Sequence, residues 1–339
     1  MSGQPLLEVK DLRVEFQNRR GTLVALDNVS FSVQSGEVLG LVGESGAGKS
    51  MVGNAILGLL EKPGKITKGQ ITLDGRRLDQ LSAEEYSGLR GKIVSSIFQD
   101  PLTSLNPLFT IGDQLVETIR QHMTVSHEKA VEMAKDLLTQ SGISAPEKRL
   151  NQYPHQFSGG MRQRVVIALA LATSPKLLIA DEPTTALDVS VQAQIIHLLK
   201  KLCKERGTAI ILITHDIGVI AEIADRVGVM YAGHLVEIGN TRDVIHDAKH
   251  PYTRGLMGAI PKIGVQEDFL LQIPGSMPPL HAIPKGCAFH PRCPLVKQDC
   301  VDKKPVPKQC GQSTVACWRA GEKVDFKKLF SGPVFKVRG

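Results

Sequence analysis

The chain has 339 residues, enough for two domains, at least one of which can bury a sizeable core. Its 42% hydrophobic and 22% charged residues describe a globular protein; no apolar run approaches the ~20 residues of a membrane span, and residues 1–9 lack a basic region followed by an apolar core, so a cytoplasmic location is expected. The net charge of +7 belongs to the tail, where 16 Lys and Arg stand against 8 Asp and Glu from Thr241 onward, scattered among Pro and Cys with few aromatics, a pattern that argues against nucleic-acid binding.

In chain order, residues 6–16 hold two short apolar alternations and residues 24–33 a second strand-rich stretch, together an antiparallel opening. Phe16 closes its strand before a polar, basic turn; it is either a flat apolar face for a purine or a core phenylalanine. Val38-Leu39-Gly40-Leu41-Val42 reads as a buried strand, and residues 51–60 as a helix. Between them lies Gly43-Glu44-Ser45-Gly46-Ala47-Gly48-Lys49-Ser50, which fits the pattern G-x-x-x-x-G-K-[ST] in full. Glycines there let successive N–H groups point into one concavity that holds anionic oxygens, Lys49 reaches the β- and γ-phosphates, and the Ser50 hydroxyl ligates Mg²⁺. After a Pro/Gly/Lys turn and a strand pair near residues 69–74, the buried-strand pattern of residues 93–98 ends in Gln99. An amide at the carboxyl end of a strand in an open α/β sheet sits where ligands bind, as a metal ligand or to orient a water.

Residues 111–142 are helical by period and read as an inserted lobe. Phe157-Ser158-Gly159-Gly160-Met161 then opens an apolar helix, a second anion-ready start because the first N–H groups of a helix lack intrahelical partners. Leu177-Leu178-Ile179-Ala180 is a buried strand carrying Asp181 and Glu182 at its end. Asp181 suits Mg²⁺ and Glu182 the activation of the attacking water. Ala186-Leu187-Asp188 opens a long helix through Arg206, residues 208–213 form a further buried strand ending in Thr214-His215, and residues 227–238 read as a hairpin turning at Ala232-Gly233-His234. A boundary is expected near Gly239. Beyond it come a short helix over residues 250–260 and a Pro-, Lys- and Cys-rich segment. Cys287, Cys293, Cys300 and Cys317 cluster there, with Cys310 nearby and Cys203 far away. Disulfides are disfavoured in the cytosol, so clustered thiols suggest zinc or an iron–sulfur cluster, which softness alone does not separate.

The order of these motifs resembles the ATP-binding-cassette (ABC) ATPase family. The resemblance implies an α/β fold with a P-loop NTPase core over residues 1–240, an N-terminal antiparallel β subdomain and an inserted helical subdomain at about 101–170. It also implies that Ser158, Gly159 and Gly160 contact the nucleotide of a second cassette in a head-to-tail dimer, while Lys49, Asp181, Glu182 and His215 act on their own. Phe16 becomes the adenine-stacking aromatic, and Asp188 lies in a loop at the dimer interface. Phe157 and Met161 stand where the family's signature has leucine and glutamine. Residues 98–107, 153–158 and 250–253, with the cysteine tail, are similar to the ATPase subunits of oligopeptide/dipeptide importers. That narrower resemblance implies a C-terminal extension over 241–339 whose Cys-rich part (about 285–318) holds a [4Fe–4S] cluster on Cys287, Cys293, Cys300 and Cys317, Zn²⁺ being the alternative. It implies hydrolysis of ATP with Mg²⁺, two membrane permeases, a second ATPase subunit (a paralogue or another copy of this chain), and an extracytoplasmic substrate-binding protein in the assembly. The subunit would sit peripherally on the cytoplasmic face of the bacterial inner membrane. Nickel, glutathione and antimicrobial-peptide systems use similar subunits. A soluble cassette ATPase acting on nucleic acid is the more distant alternative, disfavoured by a single phosphate loop and a short insert.

Overall fold

The computed structural model describes residues 4–19, 21–185, 187–259 and 272–322, without the side chains of Pro101 and Leu102. Ala186 and the last residue of the helix expected over 250–260 lie outside them.

Strands β1 (Leu7–Asn18), β2 (Gly21–Val33), β3 (Val38–Val42), β4 (Gly64–Leu73), β5 (Arg76–Arg77) and β6 (Val94–Ile97) precede β7 (Leu177–Asp181), β8 (Ala209–Ile213), β9 (Arg226–Tyr231), β10 (His234–Asn240), β11 (Lys308–Cys310) and β12 (Ser313–Val315). One sheet is antiparallel in the order β2-β1-β4-β5, and the other runs β11-β12-β10-β9-β3-β8-β7-β6. The two alternations of the opening are one strand: Asp11 takes a left-handed φ of 47°, and the register with β2 shifts between Val9 and Leu12, which changes the phase of the pattern.

Within the larger sheet β6, β7, β8, β3 and β9 are parallel, while β10, β12 and β11 add antiparallel. Both faces of the parallel part are covered, so β3 and β8 are buried throughout, as unbroken apolar runs require. Leu39 and Leu41 face the core shared with the N-terminal sheet, whereas Val38 and Val42 face the core shared with the helices. The helical stretch expected over 111–142 divides into Ile111–His122 and His127–Gln140, because Thr110 with Asp113 forms a capping box at the first and Ser126 caps the second.

The extension is built into the cassette. The boundary expected near Gly239 falls inside β10, which pairs with β12 from the Cys-rich segment. Phe289, 1% exposed, packs edge-on against Tyr231 and beside Tyr252 in one aromatic cluster.

Candidate functional site

The phosphate loop follows β3 and feeds the helix Lys49–Leu57, whose N-cap Gly48 has φ 100°. Gly43 has φ 151°, and a Cβ there would stand 2.3 Å from the Met230 carbonyl oxygen, so only glycine lets the loop leave β3 this close to β9. Lys49 is buried and donates to the carbonyls of Gly43 (2.9 Å) and Glu44 (3.1 Å), which hold its ammonium across the loop. Burial pushes that ammonium below its ordinary pKa, against the charges of Glu182, Asp181 and Glu44.

Asp181 ends β7 beside the loop. Burial raises its carboxyl, against the hydrogen bond donated by Ser50 and the charge of Lys49. Its Oδ1 is buried with no hydrogen-bond partner among the described residues. A hydroxyl and a carboxylate in contact, with one carboxylate oxygen unspent, form an oxygen donor set that suits Mg²⁺.

Glu182 has a left-handed φ of 46°, and its N–H donates to the Ile213 carbonyl at 2.8 Å. Its Oε2 accepts from Gln99 Nε2 (3.0 Å) and Thr185 Oγ1 (2.7 Å), and its Oε1 lies 3.1 Å from His215 Nδ1. Three strand ends, those of β6, β7 and β8, therefore deliver Gln99, Glu182 and His215 to one point. Burial raises the Glu182 carboxyl, but the hydrogen bonds of Thr185 and His215 and the charge of Lys49 outweigh it and leave the group below its ordinary value. Thr185 was not anticipated from the sequence. The signal is the hydroxyl three residues after the glutamate, in a turn whose Thr185 N–H reaches the Glu182 carbonyl at 3.3 Å.

A cleft of about 580 Å³ opens at this point, and residues 45–51, Gln99 and Glu182 are among those that line it. Ser158, Gly159 and Gly160 are not among its lining residues. Ser158 caps the helix Gly159–Ala170 by accepting from the Met161 N–H (3.4 Å), and its glycines pack on Leu187 and Val191. Asp188 caps the helix Val189–Arg206, accepting from the Val191 N–H at 2.9 Å. Phe16 pairs with Leu23 and Gly64 in the sheet, its ring against the Gly64 backbone, and it too is not among the residues that line the cleft.

The thiols of Cys287, Cys293, Cys300 and Cys317 are neighbours. Burial raises Cys293 and Cys317 to about 12, and the charges of Cys287 and Cys300 add to this in both cases. Among the described residues no group of three or more His, Cys, Asp or Glu side chains is placed to hold a metal ion. Neither the [4Fe–4S] cluster nor Zn²⁺ has support in the structure beyond the kind, number and proximity of these thiols.

Residues 26–185 match the ABC transporter family, and residues 236–300 match the C-terminal region of oligopeptide/dipeptide transporters. The oligopeptide transport ATP-binding protein OppD of Escherichia coli (strain K12) is 48% identical over 319 residues, 94% of each chain. The dipeptide transport ATP-binding protein DppD of Bacillus subtilis (strain 168) is 45% identical over 330 residues, 96% of this chain and 98% of that one. Among solved structures, the ATP-binding cassette MJ0796, a dimer in a post-hydrolysis state bound to ADP and Pi, superposes with a TM-score of 0.62 at 30% identity, covering 70% of this chain and 99% of its own. With the phosphate loop, the two carboxylates and the extension all in place, the chain belongs to the ABC transporter ATPases, in the group of oligopeptide and dipeptide transport ATP-binding proteins.

Proposed function

We propose that the chain is the ATP-hydrolysing subunit of a membrane importer of di- and oligopeptides. The observation that carries the ATPase is the Glu182 carboxylate, held at both oxygens by Gln99, Thr185 and His215 beside the Lys49 loop. The transport names of the relatives and the matched C-terminal region support the cargo.

In this reading residues 43–50 cradle the phosphates through their N–H groups, and the Lys49 ammonium moves from the loop carbonyls onto the phosphate oxygens. Glu182, ionised at neutral pH, takes the proton of the attacking water at a carboxylate oxygen, while Gln99 and His215 fix its direction. Ser50 and Asp181 would hold Mg²⁺, which supplies charge neutralisation at the phosphate oxygens when bound. Ser158, Gly159, Gly160 and Asp188 serve a second cassette, a paralogue or another copy, a reading supported by their not being among the residues that line the cleft of their own chain.

No helix among the described residues is long and apolar enough to cross a membrane. Two permeases would supply the passage, fed by an extracytoplasmic binding protein, with this subunit peripheral on the cytoplasmic face of the inner membrane. The helical subdomain supports permease docking: Leu108 is 80% exposed, and Phe109, 49% exposed, lines a cleft of about 810 Å³ between the helices Ile111–His122 and His127–Gln140. Cys287, Cys293, Cys300 and Cys317 would supply the four thiolates of a [4Fe–4S] cluster, in keeping with their number and neighbourhood.

A pull-down of the tagged chain from detergent-solubilised membranes tests the assembly. Two multi-span permeases and a second cassette are expected among the partners identified by mass; recovery of ribosomes or DNA-bound proteins with no permease would overturn it.

A further inference from the structure

The extension supplies Met277, Pro278, Pro279, Leu280 and Ile283 to the lining of the nucleotide cleft. Ala25 and Ala232 line it beside the phosphate loop, where the Gly233 N–H donates to the Ala47 carbonyl at 2.9 Å. The extension's share is apolar, whereas Lys49, Ser50, Gln99 and Glu182 bring the ammonium, the hydroxyl, the amide and the carboxylate already described. A nucleotide with its phosphates on residues 45–50 leaves its sugar and base to the apolar lining. Leu280 is 38% exposed, an apolar side chain kept at the cleft and not in the core. Two consecutive prolines precede it and restrict the backbone, so the wall loses little freedom when a ligand packs against it.

Arg292 fixes this wall to the phosphate loop. Its Nη1 donates to both carboxylate oxygens of Glu44 (3.0 and 3.1 Å) and lies 3.4 Å from the Tyr231 hydroxyl. Its Nε donates to the Pro274 carbonyl (2.8 Å), and its Nη2 to the carbonyls of Gly275 (3.2 Å) and Ile273 (3.4 Å). One guanidinium therefore spans the second residue of the phosphate loop and the backbone just ahead of Met277. The Tyr252 hydroxyl, accepting from the Glu44 N–H at 3.0 Å, ties the same loop residue to the helix Pro251–Gly258. Phe16, by contrast, lies against Gly64 and lines neither this cleft nor the neighbouring one around Leu23 and His281.

We propose that residues 277–280 of the extension form the nucleoside-binding wall of the ATP site, with Arg292 as the residue that positions it against the phosphate loop. The proposal rests on the ATP-binding reading and adds to it a contact from outside the cassette core. MJ0796, which matches over 99% of its own length, accounts for only 70% of this chain; a cassette without the extension has no such wall.

The test compares the affinity of the full chain for MgATP with that for inorganic tripolyphosphate, which keeps the charged end of the ligand and lacks the nucleoside. Leu280→Asn is expected to weaken ATP about tenfold, as loss of an apolar contact does, and, adding no charge, to leave tripolyphosphate unchanged. Arg292→Met is expected to weaken ATP in the same way with Arg292→Lys failing to restore it, since an ammonium cannot span Glu44 and three carbonyls at once. Unchanged ATP affinity in Leu280→Asn, with the loss appearing in Phe16→Ala instead, would overturn the proposal. So would an equal fall for both ligands, which would place the effect on the loop. A wild-type chain that bound neither ligand would refute the ATP site itself and not the wall.

Discussion

Thr185 shows how one hydroxyl sets the charge of the carboxylate proposed to activate the attacking water. It donates 2.7 Å to Glu182 Oε2, and this bond is among the forces that hold the carboxyl below its ordinary value despite burial. A group so lowered is ionised at neutral pH and becomes protonated only as the pH falls through its folded value. Thr185→Val removes the donor, so the carboxyl titrates at a higher pH and the acid side of the turnover profile moves toward neutrality. Turnover at neutral pH should fall about tenfold, in line with one hydrogen bond to a charged group, with ATP affinity retained. An unmoved acid limb would remove Thr185 from this role. The glutamate itself was legible in the sequence, because a carboxylate after four buried apolar residues has few other uses beside a phosphate loop. Its orientation was not, since it depends on a left-handed φ and on groups delivered from β6 and β8, neighbours only once the sheet has formed.

The helix Gly159–Ala170 carries the signature start, and its placement depends on the absence of a side chain. A Cβ at Gly160 would stand 2.8 Å from Val191 Cγ1 on the helix Val189–Arg206. Valine has one strongly preferred rotamer in a helix, so it cannot swing aside cheaply, and Gly160→Ala should push the two helix starts apart. Because those starts bear Ser158 and Asp188, the expected result is an ATPase rate lower by about tenfold or more, with ATP still bound to residues 43–50. Val191→Ala in the same chain should recover part of the rate; no recovery would mean that the glycine acts otherwise than through this contact. Elements of this kind were legible where a period or a cap marked them, as with Asp188 ahead of its helix. The hairpin of β11 and β12 was not: strands of three residues in a Pro- and Cys-rich stretch carry too little alternation to read, and pairing with β10 is what creates them.

At the scale of the molecule, extension and cassette share a core. Phe289 lies among Tyr231 and Tyr252, and Lys304 reaches Asp27 on β2 in a salt bridge, with His234 Nε2 3.6 Å from the same carboxylate. Phe289→Ala should destabilise the whole chain by about 3–5 kcal/mol, the usual cost of deleting a buried aromatic ring, in a single denaturant transition. Separate melting of the extension, with the cassette midpoint unchanged, would show that the two fold independently. The change in composition after Gly239 was visible in the sequence, but a composition shift marks a change of style and not a loss of contact, and here the contacts continue across it.

The pairing of β12 with β10 also governs how chains meet one another. A sheet's last strand offers unpaired N–H and C=O groups to any other strand that approaches, and a long one is a template for aggregation. Beyond the seven-residue β10 the extension places β12, and outside that β11, each only three residues long. The exposed border on this side of the sheet is thereby shortened, and Lys308 puts a charge on it. A cassette stripped of its extension would present the middle of β10 at the border instead, and would carry into the cell a sticky edge that the intact chain keeps covered.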